Sequence, residues 1–188
     1  MRLIHATGLL VLTALSLAGS ASAQATASTG DSQSKARAIA ASFSKFKSVS
    51  KERHGIRKEK YRTIESEPVV KTNPADYSGI YEVPDMAFAL NLSVDRNGAA
   101  TGTGYEPLTE SVRRTFTLRN GRIRGALLTA TKVYADGKSV KLEGAFMNRS
   151  TYQSPTDKGV TVFGFGTMGR AVNIGGLIID KFFYQKLP

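Results

Sequence analysis

The chain has 188 residues, a formal net charge of +11 and neither cysteine nor tryptophan. The absence of cysteine excludes disulfides, thiolate catalysis and thiolate metal sites. The fold must therefore depend on an apolar core, which a chain of this length has enough residues to form. The positive charge favours anionic partners without specifying one, and it also serves solubility.

Residues 1–23 have the pattern of a secretory signal peptide. Arg2 provides a positive start, residues 9–17 form an apolar run, and small residues at 21–23 make a cleavage site after Ala23. The apolar run is too short to span a bilayer. We therefore expect a secreted or periplasmic protein whose mature chain begins at Gln24.

Residues 24–65 are expected to form a basic N-terminal arm. Its first part, residues 24–34, is small and polar, which predicts a disordered tether. Beyond it, Ile39, Phe43 and Phe46 recur at steps of four and three among basic residues, which predicts a short amphipathic helix. Such a helix would either pack on the following domain or rest on an anionic membrane surface.

Residues 66–188 are expected to form an all-β domain. Phe88, Leu90, Leu92 and Val94 alternate with small or polar residues, which is typical of a strand with one buried face. Asn-Gly or Asp-Gly turns at 95–98, 119–122 and 135–138 separate such runs and predict an antiparallel meander of about eight strands. After the first strand, the others are expected at 88–94, 99–105, 112–118, 123–134, 139–148, 160–166 and 177–185, with residues 167–176 connecting the last two.

A meander of this size must deal with its two exposed edges. Closing into a barrel removes both edges, and glycines within strands, such as Gly102, Gly104 and Gly144, suit a sharply coiled barrel wall. The alternative is a sandwich of two sheets. We expect the barrel.

The segment at residues 76–83, DYSGIYEV, resembles the opening motif of the lipocalins and the wider calycins. In that motif a glycine two residues before an aromatic starts the first barrel strand, and Gly79 and Tyr81 match those positions. Tyr81 replaces the usual tryptophan, and no second lipocalin motif follows. The resemblance implies a small calycin-like barrel with a ligand cavity.

The sequence offers little support for catalysis. His54 is the only histidine beyond the signal peptide and lies in the charged run 51–62, outside the β-domain, which argues against a histidine-based triad or metal site. Several carboxylates occur in the β-domain, but no spacing singles out a pair for sugar hydrolysis. We therefore expect a non-enzymatic protein without a metal or another cofactor.

One strand carries a charge on its apolar face. Alternation places Arg114 beside Phe116 and Leu118, so the guanidinium should point inwards, where it needs a partner. It would be an anion anchor inside a cavity, an exposed strand end, or a structural partner of an acid such as Glu143 or Asp180. The candidate ligand-binding residues are Tyr81, Arg114, Phe116, Thr129 and Thr131.

The interior itself is ambiguous. Gly125, Gly144, Thr129 and Thr131, expected on the inward face, would leave room for a ligand. Large side chains expected on the same face would fill the barrel: Phe88, Leu90, Phe116, Leu127 and Phe146.

A second candidate surface is basic. Five residues of the second and third hairpins fall on polar faces and would form one basic wall: Arg113, Arg122, Arg124, Lys132 and Lys141. The compartment argues against nucleic acid as its partner. Two functions follow: a barrel that binds an apolar or amphipathic ligand or an anionic envelope component, or a filled barrel that acts through its basic surface or its arm.

Overall fold

The computed structural model of the protein describes residues 20–53, 56–84, 86–107, 112–152, 156, 158–174 and 177–188. Side chains are described for 30–44, 64–84, 86–107, 112–152, 156, 158–168 and 181–188. His54 and residues 1–19, most of the predicted signal peptide, lie outside the described residues. The elements in chain order are α1 (Ser20–Phe43), β1 (Lys45–Arg53), β2 (Ile56–Pro68), a 3₁₀ turn (Pro74–Tyr77), β3 (Gly79–Glu82), β4 (Ala89–Val94), β5 (Ala99–Pro107), β6 (Arg113–Arg124), β7 (Leu127–Tyr134), β8 (Ser139–Tyr152), β9 (Val160–Ile174) and β10 (Leu177–Lys186).

Strands β3 to β10 form a closed antiparallel barrel of eight strands. Each strand pairs with its neighbour in sequence, including β8 with β9, and the pairing of β10 with β3 completes the circle. The barrel therefore has no open sheet edge around its circumference, as the edge argument predicts. The all-β prediction and its closed form are confirmed, and the alternative sandwich is wrong.

Two of the three predicted turns are correct. The Asp95 side chain accepts hydrogen bonds from the amides of Asn97 and Ala99, and Gly98 has a φ of +78°. In the second correct turn Gly137 has a φ of +80°, and the Asp136 carboxylate accepts from the Lys138 amide.

The predicted turn at 119–122 is wrong. Strand β6 continues to Arg124, and the pairing with both neighbours shifts register around Asn120 and Gly121. Asn120 has a φ of +53°, so the Asn-Gly pair forms a bulge inside the strand, a conformation it accepts as readily as a tight turn. The chain turns instead at Gly125, whose φ is +61°.

Strand β9 also runs further than predicted. Residues 167–174, expected in the connection to the last strand, extend β9 and pair with β10 up to the match of Ile174 with Leu177. At the other end of the strand, β8 and β9 pair from Gly144 with Thr167 to Thr151 with Val160.

The helix and the first hairpin attach to the outside of the barrel. The buried face of α1 consists of Ala36, Ile39, Ala40 and Phe43, and it packs on side chains that include Leu127, Ala145, Met147 and Phe183. The Lys181 ammonium donates to the Ser42 carbonyl at 3.2 Å. This is the packed-helix alternative of the sequence analysis, so that face is covered by protein and does not lie on a membrane.

The N-terminal arm, predicted at residues 24–65, contains most of helix α1, strand β1 and most of strand β2. Helix α1 begins at Ser20, so it includes residues 24–34, where a disordered tether was expected. Strand β2 pairs with β8 from Thr63 to Pro68, so the sheet begins before residue 66. The Ser66 amide donates to the Ser44 hydroxyl at 3.0 Å and joins the segment after the helix to β2.

One end of the barrel is plugged by an aromatic cluster. Tyr77 and Phe146 are fully buried, and their rings stack with centroids 4.2 Å apart. The Tyr77 hydroxyl accepts from the Lys71 amide at 2.8 Å and lies within donating distance of the carbonyl oxygens of Val69 (2.8 Å) and Gly125 (2.9 Å). We call this the closed end, and the opposite end the mouth.

Candidate functional site

The mouth of the barrel contains a cluster of four side chains, in which three donors surround the carboxylate of the fourth. We call it the mouth cluster: Glu106 at the end of β5, Arg114 at the start of β6, and Lys132 and Tyr134 at the end of β7. Because adjacent strands are antiparallel, the ends of β5 and β7 and the start of β6 meet at the same end of the barrel. The alternation of β6 thus directs Arg114 inwards, as the sequence predicts.

The other three side chains of the cluster each donate to Glu106. Oε1 accepts from Arg114 Nε at 3.0 Å, from a terminal nitrogen of Arg114 at 2.6 Å and from the Tyr134 hydroxyl at 2.7 Å. Oε2 accepts from Lys132 Nζ at 2.8 Å. Arg114 is therefore paired with Glu106 and not with Glu143, whereas the side chain of Asp180, the other predicted partner, lies outside the described side chains.

The cluster carries more positive than negative charge. Burial by itself would raise the pKa of Glu106, but the positive charge of Lys132 and hydrogen bonds from Lys132, Tyr134 and Arg114 outweigh it, so its pKa lies below the ordinary value. Glu106 is therefore ionised, and one carboxylate faces two cations. The side chains of Lys132 and Glu106 are only 11% exposed and that of Arg114 is 31% exposed, so this surplus positive charge is only partly hydrated.

Aromatic rings support the two cations. The Arg114 guanidinium lies 3.8 Å from the centroid of the Tyr134 ring, and Lys132 Nζ lies 4.5 Å from that of Phe116. Contacts of this kind stabilise cations at sites with little water. Burial and the adjacent Glu106 carboxylate raise the pKa of Tyr134, so its hydroxyl remains a donor.

The mouth cluster lines a cavity of about 390 Å³. Its floor is aromatic: the rings of Phe88 and Phe182 are 4.6 Å apart, and Phe88 meets Tyr184 edge to face at 6.2 Å. Burial raises the pKa of Tyr184, so this hydroxyl is neutral. The cavity thus combines an apolar floor with a cationic wall, and its volume lies within the range of small-molecule sites.

Below this floor the barrel is filled. Phe146 packs between Phe165, at 5.2 Å, and the aromatic plug of the closed end. Gly144 leaves no room for a ligand, because a Cβ built there would lie 2.4 Å from Cζ of Phe165. The cavity is therefore confined to the mouth.

The predicted ligand-binding residues fall in three places. Arg114 belongs to the mouth cluster and lines its cavity, whereas Phe116 is buried beneath Lys132 and does not line that cavity. Tyr81 is fully buried towards the closed end, where its ring lies 5.9 Å from that of Phe146 and its hydroxyl donates to the Tyr77 carbonyl. Thr129 and Thr131 point outwards, since their neighbours Leu128 and Ala130 belong to the inner core.

Alternation in the sequence predicts the wrong set of β7 residues for the barrel interior, and the structure shows the physical reason. Leu127 was expected inside the barrel, but its side chain is buried on the outside, beneath helix α1. With Leu127 and Leu128 both buried, the strand has apolar neighbours on both faces and its alternation is lost. Because Leu128 and not Leu127 faces the interior, alternation along β7 also directs Lys132 inwards.

The predicted basic wall loses one of its five residues. Arg113, Arg122, Arg124 and Lys141 are exposed, whereas Lys132 lies in the mouth cluster. A separate open groove of about 690 Å³ follows the outer surface of β3 to β7, with a floor of small residues that includes Ala89, Thr103 and Thr117.

Glu106, Lys132 and Tyr134 are the functional residues that sequence reasoning missed as a group. A usable signal was present, because an antiparallel hairpin pairs Glu106 with Arg114 in its register. Opposite charges at matching positions of neighbouring strands predict a cross-strand pair.

No family model, curated protein or solved structure matches this chain. The fold and the site therefore rest on the geometry described above. Among the described residues no group of three or more metal-binding side chains occurs. Within the same part of the chain, no helix has the length and apolarity needed to cross a membrane.

Proposed function

We propose that this chain is a secreted or periplasmic, non-enzymatic binding protein that holds a small amphipathic anion in the mouth of its barrel. The observation that carries the proposal is the surplus positive charge of the mouth cluster next to an aromatic floor. An anionic headgroup would neutralise that surplus, and an apolar body would cover Phe88, Phe182 and Tyr184. With such a ligand bound, the buried cations would face an anion and the aromatic floor would face an apolar group, so no buried charge would be left without a partner.

The headgroup position is defined by Arg114 and Lys132. Glu106 uses two nitrogens of Arg114 and one of the three donors of Lys132, so further donors of both cations are available to a ligand oxygen. A single carboxylate or sulfate restores neutrality, whereas a neutral headgroup does not. The ligand class is therefore an amphiphile with one negative charge.

Titration of the purified full chain with laurate, dodecyl sulfate and dodecanol tests this proposal. We expect the two anions to bind and the alcohol to bind at least about tenfold more weakly, because it lacks the charge-assisted hydrogen bonds. Arg114→Ala should weaken laurate binding by about tenfold, whereas Arg124→Ala, an exposed arginine of the same strand, should not. Equal affinity for laurate and dodecanol, or no binding of either anion, would refute the proposal.

Native mass spectrometry of protein purified from its own host provides the second test. A non-covalently retained small anion would support the carrier function and identify the ligand. The same preparation reports the first residue of the mature chain. A start at Gln24 would support export, whereas retention of residues 1–23 in the cytoplasm would contradict it.

We also infer a distant relationship to the lipocalins. The closed barrel of eight antiparallel strands supports it, and so does the position of Gly79 and Tyr81 in the first barrel strand. Gly79 has a φ of +148°, a backbone conformation that favours glycine, whereas a Cβ there would meet only the flexible end of the Lys186 side chain. A solved structure of a relative with a recognisable lipocalin sequence and the same contact would test this inference.

A second candidate function uses the outside of the barrel. Exposed Arg122 and Arg124 at the end of β6 support attraction to an anionic envelope polymer. Binding to an anionic polysaccharide should then fall steeply with salt and with Arg122→Ala/Arg124→Ala. Salt-independent binding would exclude it.

A further inference from the structure

The rim of the mouth combines exposed apolar side chains with lysines. Four residues that line the mouth cavity lie on its β8 and β9 side, and we call them the lip: Lys138, Val140, Lys141 and Met168. Val140 is 42% exposed and Met168 49% exposed, which is high for large apolar side chains. Exposed apolar residues that adjoin a cavity commonly mark an interaction site.

The two lysines of the lip do not donate to the carboxylate of the mouth cluster. Glu106 is bound by Arg114, Lys132 and Tyr134, and it takes no hydrogen bond from Lys138 or Lys141. Lys138 pairs with Asp136 at 3.2 Å, but the side chains are 77% and 49% exposed, so water and salt screen the contact. Both ammonium groups are thus placed to meet a second anionic surface.

The same end of the barrel carries one more exposed apolar residue. Val112 precedes β6 and is 49% exposed. The antiparallel order places it at the mouth end, with the lip. Apolar side chains beside basic ones are what a protein needs to enter the headgroup region of an anionic bilayer.

We propose that the lip docks on an anionic phospholipid surface, so that the mouth opens onto the bilayer from which the ligand is taken. This inference rests on the proposed function, because the docked orientation matters only if the mouth binds an amphiphile. The lysines contact phosphate groups, and Val140 and Met168 lie among the upper acyl carbons. A ligand then passes from the bilayer to the aromatic floor with little exposure of its apolar part to water.

Sedimentation of the full chain with vesicles tests the docking. Vesicles of phosphatidylglycerol mixed with phosphatidylcholine should bind the chain, and vesicles of phosphatidylcholine alone should bind it weakly. Lys138→Glu/Lys141→Glu should reduce binding to the anionic vesicles by at least about tenfold, as expected for two basic groups at the membrane surface. Val140→Asn/Met168→Gln should also reduce binding to the anionic vesicles, and the reduction should be similar at low and high salt, because these side chains make apolar contacts and salt screens only charges.

The chain provides a matched control at its closed end. Lys158 is exposed and Val160 is 68% exposed, but neither lines the mouth. Lys158→Glu/Val160→Asn should bind vesicles as the unmodified chain does. Thermal unfolding of all variants checks that each is folded, which we expect because every changed side chain is exposed.

The outcomes separate docking from ligand binding. Loss of vesicle binding in the lip variants, with the control unaffected, supports the lip as the docking surface. Equal binding by lip and control variants, or no binding to anionic vesicles, overturns it. Laurate titration without vesicles reports on the mouth alone. If the carrier function is wrong, laurate does not bind in that titration, whereas if only the docking is wrong, laurate still binds and the vesicle assay alone fails.

Discussion

Glu106 Oε2 accepts a hydrogen bond from Lys132 Nζ at 2.8 Å, across a pair of side chains that are each only 11% exposed. The other oxygen of the same carboxylate is held by Arg114 and Tyr134. One acid therefore compensates two bases at the mouth of the barrel. The three charges are not equivalent, because removing the acid leaves two unmatched cations and removing one base leaves a neutral pair.

This asymmetry predicts unequal costs for two substitutions. Glu106→Gln should lower the free energy of unfolding by about 3 kcal/mol, because Arg114 and Lys132 lose their counter-ion. Lys132→Met should cost only about 1 kcal/mol, because Arg114 and Tyr134 still satisfy the carboxylate. Urea unfolding of both variants measures the difference. A cost for Lys132→Met equal to or above that of Glu106→Gln would contradict the charge imbalance.

The lowered pKa of Glu106 predicts a loss of stability in acid. In the folded state the pKa lies below 4.5, its ordinary value. The ionised carboxylate therefore contributes its full stabilisation above pH 4.5 and loses it as the pH falls through the folded-state pKa. Urea midpoints measured from neutral pH down to strong acid should fall more steeply for the unmodified chain than for Glu106→Gln. The exposed Glu143→Gln should follow the unmodified chain.

The plug of the closed end predicts a strong effect from a single hydroxyl. Tyr77→Phe removes a partner from the Lys71 amide and the carbonyl groups of Val69 and Gly125. Leaving such groups unpaired should cost about 2 kcal/mol. Tyr152→Phe, on a half-buried tyrosine, should cost less than half as much in the same thermal or urea unfolding measurement. A neutral effect of Tyr77→Phe would mean that water replaces the hydroxyl.

The packing of helix α1 predicts a stability change at a residue far from the mouth. Phe43 is 7% exposed and lies 6.3 Å from the Phe183 ring, centroid to centroid. Phe43→Ala should therefore lower the free energy of unfolding by about 3 kcal/mol through the cavity it leaves. Arg37→Ala on the exposed face of the helix is the control. An unchanged unfolding curve for Phe43→Ala would show that the helix does not stabilise the barrel.

Much of the fold followed from local patterns. The alternation of Phe88, Leu90, Leu92 and Val94 marks a strand because its period of two is a property of the extended backbone. The turns at Asp95 and Asp136 were predictable because each aspartate accepts amide hydrogen bonds within its own turn. Such features depend on residues close together in sequence.

The errors arose where local chemistry has two solutions. Asn120 adopts a positive φ, which both a tight turn and a bulge use, and only the pairing partners on β5 and β7 determine which forms. Leu127 and Leu128 are both apolar, and only the position of α1 shows which of them faces outwards. That choice also decides whether Lys132 belongs to a basic surface or to the mouth cluster.

The β class, most of the strands, the inward direction of Arg114 and the absence of thiol chemistry follow from local patterns in the chain, because backbone periodicity and residue type are local properties. What Arg114 contacts depends on tertiary packing. Glu106 lies on β5, and Lys132 and Tyr134 lie on β7, and the packing of these two strands on either side of β6 brings the three side chains within hydrogen-bonding distance of one another. A helix on the outside determines which face of β7 takes part. Contacts of this kind depend on how strands and helix pack together, which no short stretch of the chain specifies.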